Sequence, residues 1–202
     1  MSRAAPSRAR NRRDCATGPE GPLRTLGEVV KDYRRRFGAG AREEAAFFAS
    51  QRDLPSAVRL AARARTSADR RHPHQYRIPE AVLGRCEAVL LTMVPALRKA
   101  KDFEAVLEIV ETSIGDIRGV GELLVYDTAT RIGAFLGLRP RAVHLHAGVR
   151  RGARALGLPV TLGRIALRDL PRPLQGLDGA SAEDILCIYK DSEAFRRFGE
   201  RR

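Results

Sequence analysis

Residues 116–122 read Asp-Ile-Arg-Gly-Val-Gly-Glu, with an apolar, helix-compatible run on either side. Glycine tolerates backbone dihedrals that other residues resist and lets a second backbone come close. At a junction of two helices, Gly119-Val120-Gly121 can present successive amides and a helix N-terminus to a phosphate oxygen. Arg118 adds a cation beside the turn. Glu122 acts in the opposite sense, because it suits a helix N-terminus but repels a phosphate held there unless an arginine offsets it. The same residues also suit a turn used only for tight packing.

Two further sets of side chains could hold phosphate. After Pro140, His146, Arg150 and Arg154 recur every four residues, Arg151 adjoins them, and Arg139 and Arg141 precede them. On a helix this spacing makes a basic ridge, or an ordinary solvated face. The second set is Arg59, Arg63, Arg70, Arg71, His72 and His74. Arginine makes two-pronged contacts to phosphate, which fix position and not base sequence.

The four histidines form the pairs His72-x-His74 and His144-x-His146, and folding could bring them together with Arg77. No carboxylate or cysteine stands at a diagnostic metal-ligand spacing from them, and on a helix a His-x-His pair points to two sides, so no metal is expected. His144 reads as a packed histidine and His146 as part of the ridge. The glycine turn lacks the Lys-Ser/Thr ending of a nucleotide-binding loop and follows no strand. Cys187 sits between apolar residues with no evident base. No cofactor is expected.

The charge of the chain bears on the partner. Its 202 residues carry 37 Lys/Arg against 24 Asp/Glu, a formal net charge of +13. The excess lies at the two ends: residues 1–77 hold 18 basic against 8 acidic residues, residues 78–137 hold 6 against 9, and residues 138–202 hold 13 against 7. Such a field attracts polyanions, of which nucleic acid is the commonest large one in a cell, although an Ala-, Arg- and Gly-rich composition also fits genomic bias. Three widely spaced cysteines, Cys15, Cys86 and Cys187, read as reduced thiols, with Cys86 and Cys187 buried. There is no apolar run long enough for a membrane span and no secretory signal pattern. These features place the protein in the cytoplasm or on the nucleoid.

The elements that must position these residues are helical by their periodicity. Residues 1–22, with Arg3, Arg8, Arg10, Arg12 and Arg13, form a disordered basic arm. Helices are expected over 23–37, ending at Gly38 and Gly40, over 41–51, and after an Asp53 cap with Pro55 in the first turn. A polar loop covers 65–76. A long core helix spans 78–100 and is kinked or divided at Pro95. Asp102 caps a helix running through Ser113, a helix follows the glycine turn over 122–136, and Gly137 closes it. A further helix is expected over 141–156. Residues 158–180 carry three prolines and little regular structure, with 160–167 the best candidate for a strand. Ser181 caps a helix with Glu183 and Asp184 in its first turn, and a short helix bears Phe195 and Phe198.

The series Ile114-x-x-Ile117-x-Gly119-Val120-Gly121, followed by Val125, resembles the helix-hairpin-helix motif of the nucleic-acid-binding superfamily of that name, over about a tenth of the chain (114–132). The resemblance implies that Gly119 and Gly121 shape the turn, that amides of Val120, Gly121 and nearby helix residues bind a backbone phosphate, and that Ile117 and Val120 fasten the hairpin to the core. Within that superfamily, DNA glycosylases place an aspartate after the glycine turn, followed by a Thr-containing helix, and Asp127-Thr128-Ala129-Thr130 is similar. The family's aspartate follows an intervening helix, whereas Asp127 comes six residues after Gly121. No lysine follows the turn for imine chemistry, and few aromatics are present to stack an extruded base.

The expected fold is all-α: a compact multi-helix domain over 23–202 containing a helix-hairpin-helix-like turn, behind the arm. The expected function is non-enzymatic, largely sequence-nonspecific DNA binding through the phosphate backbone, with RNA open as a partner. A protein-interaction or structural module is the main alternative, and a glycosylase-like hydrolase using Asp127 is another.

Overall fold

A central helix of fifteen residues organises the structure, a computed structural model that describes residues 21–200. Eleven helices are described: α1 (Leu26–Arg36), α2 (Gly38–Ala49), α3 (Leu54–Ala62), α4 (Glu80–Thr92), α5 (Val94–Leu97), α6 (Phe103–Ile114), α7 (Glu122–Leu136), α8 (Ala147–Ala155), α9 (Arg172–Gln175), α10 (Gly179–Ile188) and α11 (Glu193–Gly199). Helix α7 is the central one. It packs against α2, α3 and α6 and is buried from Leu124 to Gly133 except at Thr130. A helix buried on nearly all sides must be mostly apolar, and Leu124, Val125, Ala129 and Ile132 meet that need. The basic arm expected over 1–22 lies, apart from its last two residues, outside the described residues.

Local signals set most helix ends. Asp53 and Asp102 are extended N-caps whose carboxylates accept from the amides of Ser56 at 2.8 Å and Ala105 at 2.9 Å. Gly137, at φ +72°, ends α7 in the left-handed region. Pro95 divides the apolar stretch into α4 and α5. The first helix starts three residues later than its periodicity suggests, because Thr25 and Glu28 form a reciprocal capping box. Gly38 does not halt the chain: α2 begins there directly after a bend at Phe37.

The C-terminal part departs from the all-α expectation. The helix expected over 141–156 is split. Ala142–His144 is a strand, β1, paired antiparallel with β2 (Arg164–Ala166) in the register Ala142↔Ala166, Val143↔Ile165 and His144↔Arg164, and only α8 is helical. Pro140 disfavours helix for the residue before it, and Val143 and Ile165 meet as a buried β-branched pair. The 158–180 segment thus holds a strand, a 3-10 turn at Leu167–Asp169 and α9. Asp178, and not Ser181, caps α10, accepting from the Ser181 amide at 2.9 Å.

Two apolar cores result. One is made by α2 to α7. The other joins α1 to β1, β2 and α8 to α11. Within the second, α8 lies unusually close to α10. A Cβ on Gly148 would come 2.7 Å from Cys187 Sγ, and one on Gly152 would collide with the Leu186 carbonyl oxygen. Buried polar pairs clamp α1 onto this layer: Tyr33 Oη donates to Asp184 at 2.7 Å and Tyr189 Oη to Asp32 at 2.8 Å. Burial pushes Asp32 up, but hydrogen bonds from Tyr189, Arg35 and Arg36 outweigh it and hold the carboxyl below its ordinary value. Burial and the same Asp32 push the Tyr189 phenol up.

Gly152→Ala is expected to destabilise the fold by about 3 kcal/mol, because the obstacle is backbone and cannot rotate away; chemical denaturation measures it. A folded-state pKa below the unfolded one means that Asp32 contributes stability above the ordinary carboxylate range and loses it as pH falls through the depressed value. Asp32→Asn should therefore flatten the stability-versus-pH curve at its acid end, read from melting temperatures between about pH 2 and 5.

Candidate functional site

The glycine turn joins α6 to α7, and its amides are not equivalent. Val120 donates its amide to the Ile117 carbonyl at 2.9 Å, so it is not available to a ligand. Gly121 is the N-cap of α7, extended at φ −122°, with no side-chain cap, and its carbonyl accepts from Leu124 and Val125. The amides of Gly121, Glu122 and Leu123 find no acceptor among the described residues. Gly119 has φ +98°, and a Cβ there would also meet Val82 at 3.3 Å. At Gly121 a Cβ would meet nothing within 4 Å. Ile117 and Val120 are half-buried and pack on the α2–α7 core, while Arg118 is exposed with no carboxylate partner among the described residues. Glu122 is held by Arg150, so the acid nearest the turn is neutralised by an arginine from α8.

A cleft of about 810 Å³ opens beside the turn, lined by α6, the start of α7, β1, β2 and Arg150. The sequence pattern gave no sign of it. Because residues 142–146 are extended and not helical, His144 and His146 project to the same side and both reach Tyr126, with ring centroids 5.5 and 6.0 Å away. His144 Nε2 lies 3.2 Å from Glu104 Oε1, and buried His146 hydrogen-bonds buried Glu183. The α6 wall of the cleft is acidic, with Glu104, Glu108 and Glu111. Arg164 stands 3.5 Å from Glu104.

The basic ridge is therefore not a ridge. His146 is the buried N-cap of α8; Arg150 turns to Glu122 and the Leu145 carbonyl; Arg151 pairs with Asp191 at 2.6 Å. Arg139, Arg141 and Arg154 are exposed without a carboxylate partner among the described residues, and the first two precede a strand instead of starting a helix. The second basic set is also mostly consumed internally. Arg63 bonds Glu80 and Glu87, Arg59 lies 3.9 Å from Glu87, and Arg71 pairs with Glu80 and donates to the Ile78 carbonyl at 2.7 Å. Buried His72 lies 3.0 Å from Glu44, His74 is half-buried, and Arg70 is exposed. The four histidines do not converge: His72 belongs to the Glu44 network, His144 and His146 to the Tyr126 cluster. No metal-ligating group of three occurs among the described residues.

Asp127 lies one helix too early for the role that the glycosylase resemblance suggests. The helix intervening after the turn is α7 itself, and Asp127 sits inside it at 1% exposure. Its Oδ2 accepts from Gln75 Nε2 at 2.6 Å and lies 3.8 Å from Arg131 Nη2, which is also buried. Past the end of α7, the extended segment at the cleft presents His144 and His146 and no aspartate.

No protein family, characterised protein or solved structure matches this chain. No helix among the described residues is long and apolar enough to cross a membrane.

Asp127→Asn should lower stability by about 3 kcal/mol, the low end for breaking a buried pair, since Glu44 still faces Arg131 at 3.1 Å. Urea unfolding compared with the wild type tests this structural role.

Proposed function

We propose that the protein binds DNA through its phosphate backbone, without base specificity and without catalysis. The observation that carries this reading is the α6–α7 turn: exposed, flanked by Arg118, and ending in the amides of the α7 N-cap and its first two residues, with no acceptor among the described residues. It suits the chemistry of a helix-hairpin-helix phosphate clamp. The Glu122–Arg150 ion pair supports the reading, because it removes the nearest repulsion. The acidic α6 wall restricts it: the backbone approaches over Arg118 and not through the cleft.

The competing readings draw less support. Tyr76 and Leu162 are the large hydrophobic side chains exposed among the described residues, so little apolar face remains for a protein partner. A hydrolase using Asp127 would need that carboxylate at a surface, and it is buried against Arg131.

Fluorescence anisotropy with a labelled DNA duplex, repeated from low to moderate salt, tests the proposal. Affinity should fall steeply with salt, and Arg118→Ala should weaken binding and reduce the log–log slope by about 0.9, one phosphate contact. Gly121→Ala is the decisive variant, since its methyl meets no protein atom and φ is ordinary. It should keep the wild-type melting temperature and lose roughly tenfold in affinity, about 1.4 kcal/mol. Gly119→Ala adds backbone strain of about 1–3 kcal/mol and should lose stability as well. Full binding by folded Gly121→Ala, or no binding to any duplex at low salt, overturns the proposal; a stronger response to an RNA duplex reassigns the partner.

A further inference from the structure

The chain crosses between its two cores twice, at residues 36–38 and again at residues 137–141. Both crossings line one cavity of about 500 Å³, which shares no lining residue with the cleft beside the glycine turn. The volume falls in the usual range for a small-molecule site. Its apolar surface comes from Ala45, Ala46 and Ala49 of α2, Ala134 of α7, and Leu138.

Its charged lining is mostly basic. Four arginines contribute: Arg34 from α1, Arg42 from α2, Arg131 from α7 and Arg139 from the second crossing. Arg131 is buried, with its guanidinium carbon 6.0 Å from the Phe48 ring centroid, and is tied to Glu44 and Asp127. The other three are exposed and have no carboxylate partner among the described residues. Arg42 folds back along its helix, its Nη1 3.4 Å from where a Gly38 Cβ would stand, and Gly38 is itself part of the cavity wall. The two acids in the lining differ in what they pair with. Glu44 serves Arg131 and His72, and Asp178 accepts from both the amide and the hydroxyl of Ser181 at 2.9 Å. Three exposed guanidinium side chains therefore line one apolar-walled cavity and outnumber Asp178, the carboxylate there with no cation of its own, and a bound anion would relieve that excess.

We propose that this cavity binds a small organic oxyanion, a phosphate ester or carboxylate with an apolar body. Arg34, Arg42 and Arg139 hold the head group, and Leu138 with the alanines of α2 and α7 holds the body. The guanidinium fork suits either head group, and burial of the body selects against a bare inorganic ion. The site does not depend on the nucleic-acid reading.

Isothermal titration calorimetry of the full chain, without nucleic acid, tests it with phenyl phosphate, benzoate, inorganic phosphate and phenol. Phenyl phosphate or benzoate should bind at millimolar concentration or below, and whichever is tighter names the head group. Inorganic phosphate should bind at least tenfold more weakly, and phenol should not bind. The double variant Arg42→Ala/Arg139→Ala changes two exposed side chains and should remain folded; its affinity for the tighter probe should fall at least tenfold. Arg118→Ala, at the glycine turn, should leave that affinity unchanged. Failure of both aryl anions to bind overturns the proposal, as does unchanged affinity in the folded double variant. Equal binding of inorganic phosphate removes the apolar subsite, and loss of binding in Arg118→Ala moves the anion to the turn; either result also overturns it.

Discussion

The arginine buried in the middle of α7 constrains much of the fold around it. Arg131 is 3% exposed in a helix that, Asp127 and Thr128 apart, is the apolar axle of the α2–α7 core. A guanidinium taken out of water is tolerated only when paired and hydrogen-bonded, because its desolvation cost is several kcal/mol. Asp127, one turn earlier on the same helix, supplies part of the compensation, but it is itself a buried charge. The rest comes from outside the helix: Glu44 of α2 at 3.1 Å, and Gln75, which donates to Asp127 and accepts from Arg131. Satisfying α7 therefore draws the loop between α3 and α4 inward. His72 and Gln75 are buried in consequence, despite lying in one of the most polar stretches of the chain.

Once α7 is fixed in this way, both of its ends acquire defined surroundings. At its N-terminus the glycine turn is anchored by Ile117 and Val120 to the same core that Arg131 helps to organise. Across the first turn of α7, Glu122 reaches Arg150 of α8, a helix of the other core. This ion pair is partly exposed and contributes little to stability. Its position matters more, since it ties the turn to both halves of the molecule and cancels the charge nearest the unpaired amides. At the C-terminus, Gly137 ends the helix and Pro140 starts the extended segment that carries His144 and His146 to Tyr126.

What the sequence made legible was local. Asp53, Asp102 and Gly137 announce helix ends because each cap acts within a few residues of itself, and the start and end of α7 follow from Gly121 and Gly137. What it hid was set by partners far along the chain. Residues 142–144 are too few to show a strand period, and their pairing partner begins twenty-two residues later at Arg164. Read as helix, His146, Arg150 and Arg154 share a face. In the fold they part, because His146 meets Glu183, Arg150 meets Glu122, and Arg154 alone of the three faces solvent without a described partner. The other basic set misleads for the same reason: Glu80 and Glu87 of α4 take up Arg59, Arg63 and Arg71 from another segment. A count of positive residues overstates the free positive surface whenever the acids that answer them lie elsewhere in sequence.

That distinction changes how the net charge of +13 should be read. Paired arginines contribute to the far field but offer few open donors to a phosphate, and it is open donors that make a contact. Of the open arginines among the described residues, Arg118 stands at the glycine turn and Arg34, Arg42 and Arg139 line the cavity at the chain crossings, while others, Arg70, Arg141 and Arg154 among them, belong to neither. The turn and the cavity differ in shape. The turn is convex and presents backbone amides, which suits an extended polyanion that passes over it. The cavity is concave with an apolar floor, which suits a small anion that enters it. The acidic wall formed by Glu104, Glu108 and Glu111 stands beside the turn, and its charge opposes a polyanion at the cleft. The two proposed anion sites thus differ in shape as well as in charge, and the shape follows from where α7 begins and where the chain leaves it.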